Sequence, residues 1–580
     1  MLSRMRANWQ ALLAIETPRE YANRLATAAP ARERVPLRIG LALVLLVACL
    51  VPRLLMALRV DTVCADGVIY FELADKLEEG RVDPDDVSHL QSGTFPFALA
   101  TLHRLGLGWE DAAKIYGVLA ASLAVLPLFG WARRQFDDRV AVLACLLYAT
   151  HPKLIEWSPE AVREPSFWLF FLLAIYLLWR AAVEVDMRWF VAGGAATAVT
   201  VLTRFEGWFL LFPLVGWTVV RFWHLHAARW RLVGGWACSL AMMPLVFYAF
   251  GLLQPEGVRG NQLRLDPVKR VGNWFLSWRV PADESPAASA AGDLAVAAAS
   301  PPAPAIAPAP LTAAEITDPH AADWTLREAA LTMLNVCERG LTPLFAIMMF
   351  AGYLTHLRLF HRSDHLPMLL LALVVVAAVW IHLWYAHQAS SRYVLTIVLL
   401  ATRGAAIGIL DFGRLAEAWF SQRWPRAKWS AATALLVLAM LVGTIDAVSS
   451  DFKSREALAG LGNWIYDRYG ASSVVVGSES QLAVVGFYAQ TEAFPFPMTL
   501  SGDALAQWLD GVAPDVVVIS KRRQQPADYE PILAQRERLG LELIPAERIP
   551  ASTKNMLVLG RIHRPADLDQ QTTSAPVPRR

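Results

Sequence analysis

The chain has 580 residues, of which 55% are hydrophobic and only 18% charged, with a formal net charge of +2; its mean hydropathy is +0.37. A soluble body of this length needs a more charged surface, so these totals exclude an ordinary soluble globular protein and point to a polytopic membrane protein. With near-neutral charge, no nucleic-acid motif and no sustained basic stripe, a nucleic-acid partner is excluded as well.

In chain order, residues 1–36 read as a cytoplasmic tail. Arg4, Arg6, Arg19, Arg24, Arg32, Arg34 and Arg38 precede or touch the first apolar run, and no hydrophobic core of a signal peptide comes before Leu37. Apolar segments at 37–58, 112–131, 140–150, 166–179, 189–202, 205–222, 232–253, 341–354, 366–384, 393–410 and 430–445 then predict about eleven membrane helices. With the tail inside, alternation places 133–139, 180–188, 221–231, 356–365 and 412–428 in the cytoplasm, and each is short and basic. The outer segments become an acidic stretch from Cys64 to Asp86 with eight carboxylates, then 151–165, 254–340, 386–392 and everything after Asp446. The 22 Trp suit the two membrane–water interfaces.

The expected organisation is a membrane domain over 37–447, with a Pro/Ala-rich insert at 281–310 that cannot build a core and is expected to be disordered. From 448 to 580 the character changes. Short β-branched runs at 472–477, 514–520 and 555–562 alternate with helical stretches at 503–511 and 529–540, which predicts a small extracytoplasmic α/β domain. The fold class expected is therefore an α-helical polytopic membrane protein with a small C-terminal α/β domain. "GSESQLAVVG" lacks the GxGxxG spacing of a dinucleotide site. Of the five cysteines, Cys64 and Cys337 fall on one predicted side without a spacing that implies a disulfide, and no CxxC or His-rich cluster marks zinc.

Four short stretches could carry chemistry. Asp66 opens "DGVIYFELADKL", a predicted helix with Tyr70 one turn on; it reads either as a carboxylate held at the membrane surface as a general base or as the cap of that helix. Gly67 would permit a sharp turn into the helix, and the remaining acids nearby read as a solvated face. In "SPEAVREPSFW", Pro165 suits a first helical turn, Glu164 suits the positive end of the helix dipole, and Arg163 reads as an interfacial charge. Arg204 and Glu206 in "LTRFEGWFLL", and Arg392 and Tyr393 in "SSRYVLTIVLL", interrupt apolar spans at their outer ends. Arginine suits bidentate phosphate binding, although snorkelling interfacial arginines are common. Arg403 lies deeper and needs a partner.

Taken in order, "RLLMALRVDTVCADGVIYFELADKLEEG", "SPEAVREPSFWLFFLLAIYLL", "LTRFEGWFLL" and "SRYVLTIVLL" resemble the GT-C type integral-membrane glycosyltransferases, especially the protein O-mannosyltransferase and lipid A aminoarabinose transferase superfamily, over Arg53 to Leu410. Two positions depart from that pattern: Gly67 follows Asp66 where the family often has Asp-Glu, and Glu164 stands where an Asp is common. The resemblance implies a sugar donor on a polyprenyl phosphate in the surrounding lipid, and an acceptor hydroxyl on a lipid, glycan or protein. It implies Asp66 as general base in an inverting transfer, Arg204 or Arg392 on the departing phosphate, and Glu164 orienting the acceptor or helping to hold a divalent cation. Tyr70, Arg163 and Tyr393 would support them. With the sidedness read from the basic loops, the expected location is the inner (cytoplasmic) membrane, with the site and the C-terminal domain on the periplasmic side. The rival readings are a polytopic transporter or flippase of lipid-linked sugars, and a scaffold that binds partners through its outer domain.

Overall fold

The computed structural model describes residues 35–81, 93–224, 229–254, 326–355, 366–386, 390–423, 431–449, 453–477, 482–495, 502–520, 526–550 and 556–561. The tail up to residue 34, Asp83, Asp85, Asp86, the Pro/Ala-rich insert and the predicted inner loop 356–365 lie outside the described residues.

Each of the eleven apolar segments is helical. The first half of the chain runs through α1 (Val35–Ala57), α2 (Ala65–Glu79), α3 (Thr94–Arg104), α4 (Trp109–Leu123), α5 (Val125–Gln135), α6 (Asp138–Thr150) and the short α7 (Pro152–Glu156). Then come α8 (Glu164–Glu184), α9 (Met187–Thr203), a 3₁₀ turn (Phe205–Leu210), α10 (Leu211–His224) and α11 (Arg229–Leu252). After the long loop follow α12 (Leu326–Leu341), α13 (Pro343–Thr355), α14 (Leu366–Ala386), a second 3₁₀ turn (Ser391–Val394), α15 (Leu395–Arg423) and α16 (Ala431–Ser449). Among the described residues, six apolar helical stretches are long enough to cross a membrane alone and three are shorter. The Ser391–Glu417 stretch is the most sheltered of the six, with 83% of its apolar window buried inside the bundle.

Two corrections to the predicted bounds have physical causes. The 112–131 segment is broken at Ala124, where Pro127 cannot donate a backbone bond to the turn before it. The 166–179 segment extends to Glu164 and Glu184, because its terminal charges are paired rather than solvated. Arg180 Nε donates to Glu184 at 2.9 Å, and Arg134 Nη1 reaches the same carboxylate at 2.5 Å. That contact also joins two predicted inner turns, as alternation of the helices requires.

Small residues let the helices close. A Cβ added at Gly408 of α15 would lie 2.0 Å from the Met348 carbonyl of α13, so these backbones meet directly. Arg403 is buried in the same helix but not alone: it stacks 3.4 Å over Trp131, and Nη1 donates to the Gln135 amide oxygen. Arg53, which the apolar reading of α1 passed over, is fully buried. Its guanidinium donates to the Ala149 carbonyl at 3.1 Å and the Tyr148 carbonyl at 3.3 Å, satisfying the C-terminal end of α6.

The C-terminal region holds α17 (Lys453–Tyr469), β1 (Val474–Gly477), α18 (Leu482–Ala489), β2 (Glu492–Pro495), α19 (Gly502–Val512), β3 (Val516–Ser520), α20 (Pro526–Ala534), β4 (Leu541–Leu543) and β5 (Met556–Arg561). They form one mixed sheet in the order β2-β1-β3-β5-β4, with β1 parallel to both β2 and β3, and β5 antiparallel to β3 and β4. The three predicted β-branched runs are its central strands. The two strands that the sequence did not reveal, β2 and β4, are its edges.

Candidate active site

The bundle gathers charge at one end. Four separate segments meet there: the start of α2, the start of α8, the 3₁₀ turn after α9 and the 3₁₀ turn before α15. Arg392 Nη1 is paired with Asp66 Oδ2, and its Nε stands 3.7 Å from Glu164 Oε1. Arg204 Nη1 is paired with the same Glu164 oxygen, while Arg204 Nη2 binds Glu206 Oε1 and Nε donates to it at 3.1 Å. Three carboxylates and two guanidinium groups thus form one continuous network, and Asp66 and Glu164 meet through Arg392.

Local sequence explains each placement. The helix α2 begins at Ala65 with Cys64 in the capping position and no side-chain cap, so Asp66 is not the cap; it sits inside the first turn with its carboxylate turned to Arg392. Gly67 makes no turn. A Cβ there would meet Ala161 Cβ at 2.6 Å, so the glycine allows α2 to press against the segment that leads into α8. Pro165 stands in the first turn of α8, as its missing N–H permits, and Arg163 takes the capping position with its carbonyl accepting the Ser166 hydroxyl at 2.9 Å. Glu164 is 3% exposed and Arg204 6%. Asp66 and Arg392 are more open, with side chains 39% and 21% exposed.

Aromatic rings frame the network. The Arg392 guanidinium lies 5.4 Å from the Tyr393 ring centre and 5.9 Å from that of Trp157; Arg204 lies 5.6 Å from Phe167 and 5.9 Å from Tyr393. Contacts of this kind favour a held cation. Tyr70 is buried with its ring edge-on to Phe95 at 5.1 Å, and burial raises its phenol above its ordinary range, with Arg163 opposing and Glu164 and Asp66 reinforcing. Two residues here were not singled out from the sequence. Trp157 borders Arg392, and His382 of α14 packs edge-on to Tyr393 at 4.6 Å. The signal for His382 was a lone polar ring in an apolar span. Among the described residues no group of three or more His, Cys, Asp or Glu is arranged to hold a metal ion. Cys64 and Cys337 are both free thiols.

Comparisons with known proteins agree with the fold. A family model described as dolichyl-phosphate-mannose-protein mannosyltransferase matches residues 94–248. That stretch contains Glu164, Arg204 and Glu206 but neither Asp66 nor Arg392. No curated protein matches the sequence. Among solved structures, the oligosaccharyltransferase of Archaeoglobus fulgidus in its apo form superposes with a TM-score of 0.52 at 14% identity, covering 85% of this chain and 70% of its own. ArnT from Cupriavidus metallidurans bound to undecaprenyl phosphate gives a TM-score of 0.52 at 13% identity, covering 92% of this chain and 99% of its own. The chain shares the fold of the GT-C type integral-membrane glycosyltransferases.

Proposed function

We propose that this GT-C-fold membrane protein transfers a sugar from a polyprenyl-phosphate donor to an acceptor hydroxyl, with inversion, at the outer face of the membrane. The observation that carries the reading is the convergence of Asp66 and Glu164 on Arg392 at one end of an apolar bundle. Isolated carboxylates rarely converge without a chemical or structural reason, and here they meet at the open, aromatic-framed edge of the network. A fold neighbour with undecaprenyl phosphate bound supports the donor class. The five short basic loops support an outward-facing site and hence a periplasmic one.

The chemistry then follows. Asp66 accepts the proton of the acceptor hydroxyl as that oxygen forms its bond to the anomeric carbon. The bond from that carbon to the phosphate oxygen breaks, and its electron pair leaves with the polyprenyl phosphate. Negative charge on the phosphate rises as the bond breaks, and a fixed guanidinium beside it stabilises that change without reorganising. Arg392 suits this better than Arg204, because Arg204 is enclosed and hydrogen-bonded to two carboxylates, whereas Arg392 is more open and hydrogen-bonded to Asp66 alone. Glu164 holds both arginines in register and orients the acceptor. The test is transfer of label from polyprenyl-phosphate sugars in membranes with and without the protein. New glycosidic product that depends on the protein supports the reading. Label that crosses the bilayer with no new product sinks it and favours a flippase.

A further inference from the structure

The two acids belong to segments that the backbone does not tie together, and the C-terminal region touches both. On one side, Arg455 in the first turns of α17 is paired with Glu160, four residues before Glu164; Glu160 is 1% exposed. On the other side, the backbone N–H of Val63, three residues before Asp66, donates to the Tyr488 hydroxyl of α18 at 3.1 Å, and that hydroxyl reaches Glu110 Oε1 at 3.2 Å. Phe487 adds an apolar grip, its ring 5.7 Å from that of Phe71 in α2. The helices bearing these contacts share one core: Leu458, Leu461 and Ile465 of α17 pack with Leu482 and Val485 of α18 against Val475, Val516 and Val558 of the sheet. The two grips are therefore parts of one packed body.

We propose that the C-terminal sheet region is a positioning clamp, in which Arg455 fixes the segment leading to Glu164 and Tyr488 fixes the segment leading to Asp66, so that both acids face Arg392. Arg455 and Tyr488 act through Glu160 and Val63 rather than on Asp66 or Glu164 themselves, and are positioning residues. The inference rests on the transferase reading for its consequence and on geometry alone for its existence. Burial pushes the Glu160 carboxyl above the ordinary carboxylate range, and Arg455 first and the Cys64 thiol second oppose this. The Cys64 thiol lies between the segments, donating to the Ala161 carbonyl at 3.9 Å beside Glu160.

The experiment uses the full chain in lipid nanodiscs, with Arg455→Gln, Arg455→Lys, Glu160→Gln, the Arg455→Gln/Glu160→Gln double variant and Tyr488→Phe. Backbone hydrogen exchange is followed at 157–163 and 61–66, and kcat and donor KM are measured separately with a labelled polyprenyl-phosphate sugar. Arg455→Gln should exchange at least roughly tenfold faster at 157–163. It should lose up to about 10²-fold in kcat, the scale of a misplacement near 1 Å, with donor KM nearly unchanged. Arg455→Lys should keep most of the turnover, and the double variant should be no worse than the worse single, as for two members of one pair. Tyr488→Phe, which removes only a hydroxyl, should act at 61–66. Wild-type exchange at both segments in Arg455→Gln and Tyr488→Phe would overturn the clamp. So would faster exchange with wild-type kcat. If the wild-type protein transfers nothing, the transferase reading fails, and the exchange measurements still decide whether the clamp exists.

Discussion

Replacing Asp66 with Asn separates chemistry from folding more sharply than any other change at the site. The carboxylate is paired with Arg392, but its side chain is 39% exposed and that of Arg392 21%. A pair this open contributes about 0–1 kcal/mol to stability once solvent screening is allowed for. Asn keeps the shape and an oxygen that accepts from the guanidinium, and Glu164 remains 3.7 Å from Arg392 Nε. Folding should therefore be almost untouched. A lost general base costs about 10²–10⁴-fold in rate. The substitution also releases Arg392 from its carboxylate, so undecaprenyl phosphate should bind at least as tightly as to the wild type. The assay pairs single-turnover transfer with a thermal unfolding curve and a lipid-binding titration on one preparation. Transfer within a few-fold of wild type, with the curve unmoved, would remove Asp66 from the role of base. A collapse of the fold would instead refute the view that this pair is marginal for stability.

Arg204→Gln should do the reverse: it removes the guanidinium from Glu206 and leaves Glu164, 3% exposed, with only the 3.7 Å contact to Arg392, and loss of one partner of a buried pair costs about 3–5 kcal/mol, so a fall in thermal midpoint is expected before any kinetic effect can be read. Arg392→Gln should keep the fold and weaken undecaprenyl phosphate binding; an unfolded Arg392→Gln beside a stable Arg204→Gln would invert the assignment. Gly408→Val places a side chain where a Cβ already meets the Met348 carbonyl at 2.0 Å, so the α13–α15 crossing must open, at a cost of about 1–3 kcal/mol or more, visible as lower yield of folded protein in detergent. Arg455→Gln should carry a pH-dependent defect. Burial and the nearby Glu156 raise the Glu160 carboxyl while Arg455 and the Cys64 thiol oppose them, so without Arg455 its carboxyl moves higher still. The variant holds an unpaired buried anion at alkaline pH and a neutral acid once protonated, so its stability deficit relative to wild type should shrink as pH falls from about 8 to about 5. A deficit that grows on acidification would contradict the pairing.

Much of the fold was legible because membrane helices announce themselves through run length, and all eleven runs proved helical. Their ends were less legible. A hydropathy reading stops at a charge, whereas Glu164, Arg180 and Glu184 continue the helix because each charge is paired: Glu164 with Arg204 and Glu184 with Arg134 far away in sequence, and Arg180 with Glu184 one turn on. The same blindness hid Arg53, a cation inside an apolar run that serves the carbonyls of another helix. At the site, Asp66, Glu164, Arg204 and Arg392 were visible one by one as costly charges beside apolar spans. Which arginine binds which acid was not, since the Asp66–Arg392 pair spans most of the membrane region. Glu160 and Arg455 were unreadable for a related reason, because an acid in a polar loop looks solvated until its partner is placed over it. The edge strands β2 and β4 were missed because three or four residues carry too little alternation to register.

The two arginines occupy different physical niches, and on the transferase reading that difference divides their work. Arg204 is enclosed between Glu164 and Glu206, so a phosphate could reach its charge only by opening a buried set of pairs. Arg392 pairs with the most exposed acid of the network, and its Nε makes no hydrogen bond. An incoming phosphate can therefore compete for Arg392 by displacing its hydrogen bond to Asp66 while the 3.7 Å ion pair with Glu164 stays in place. A carboxylate that loses its counter-ion becomes a stronger base. Donor binding and base activation are then one exchange of partners at a single guanidinium, with Arg204 holding Glu164 still while it happens.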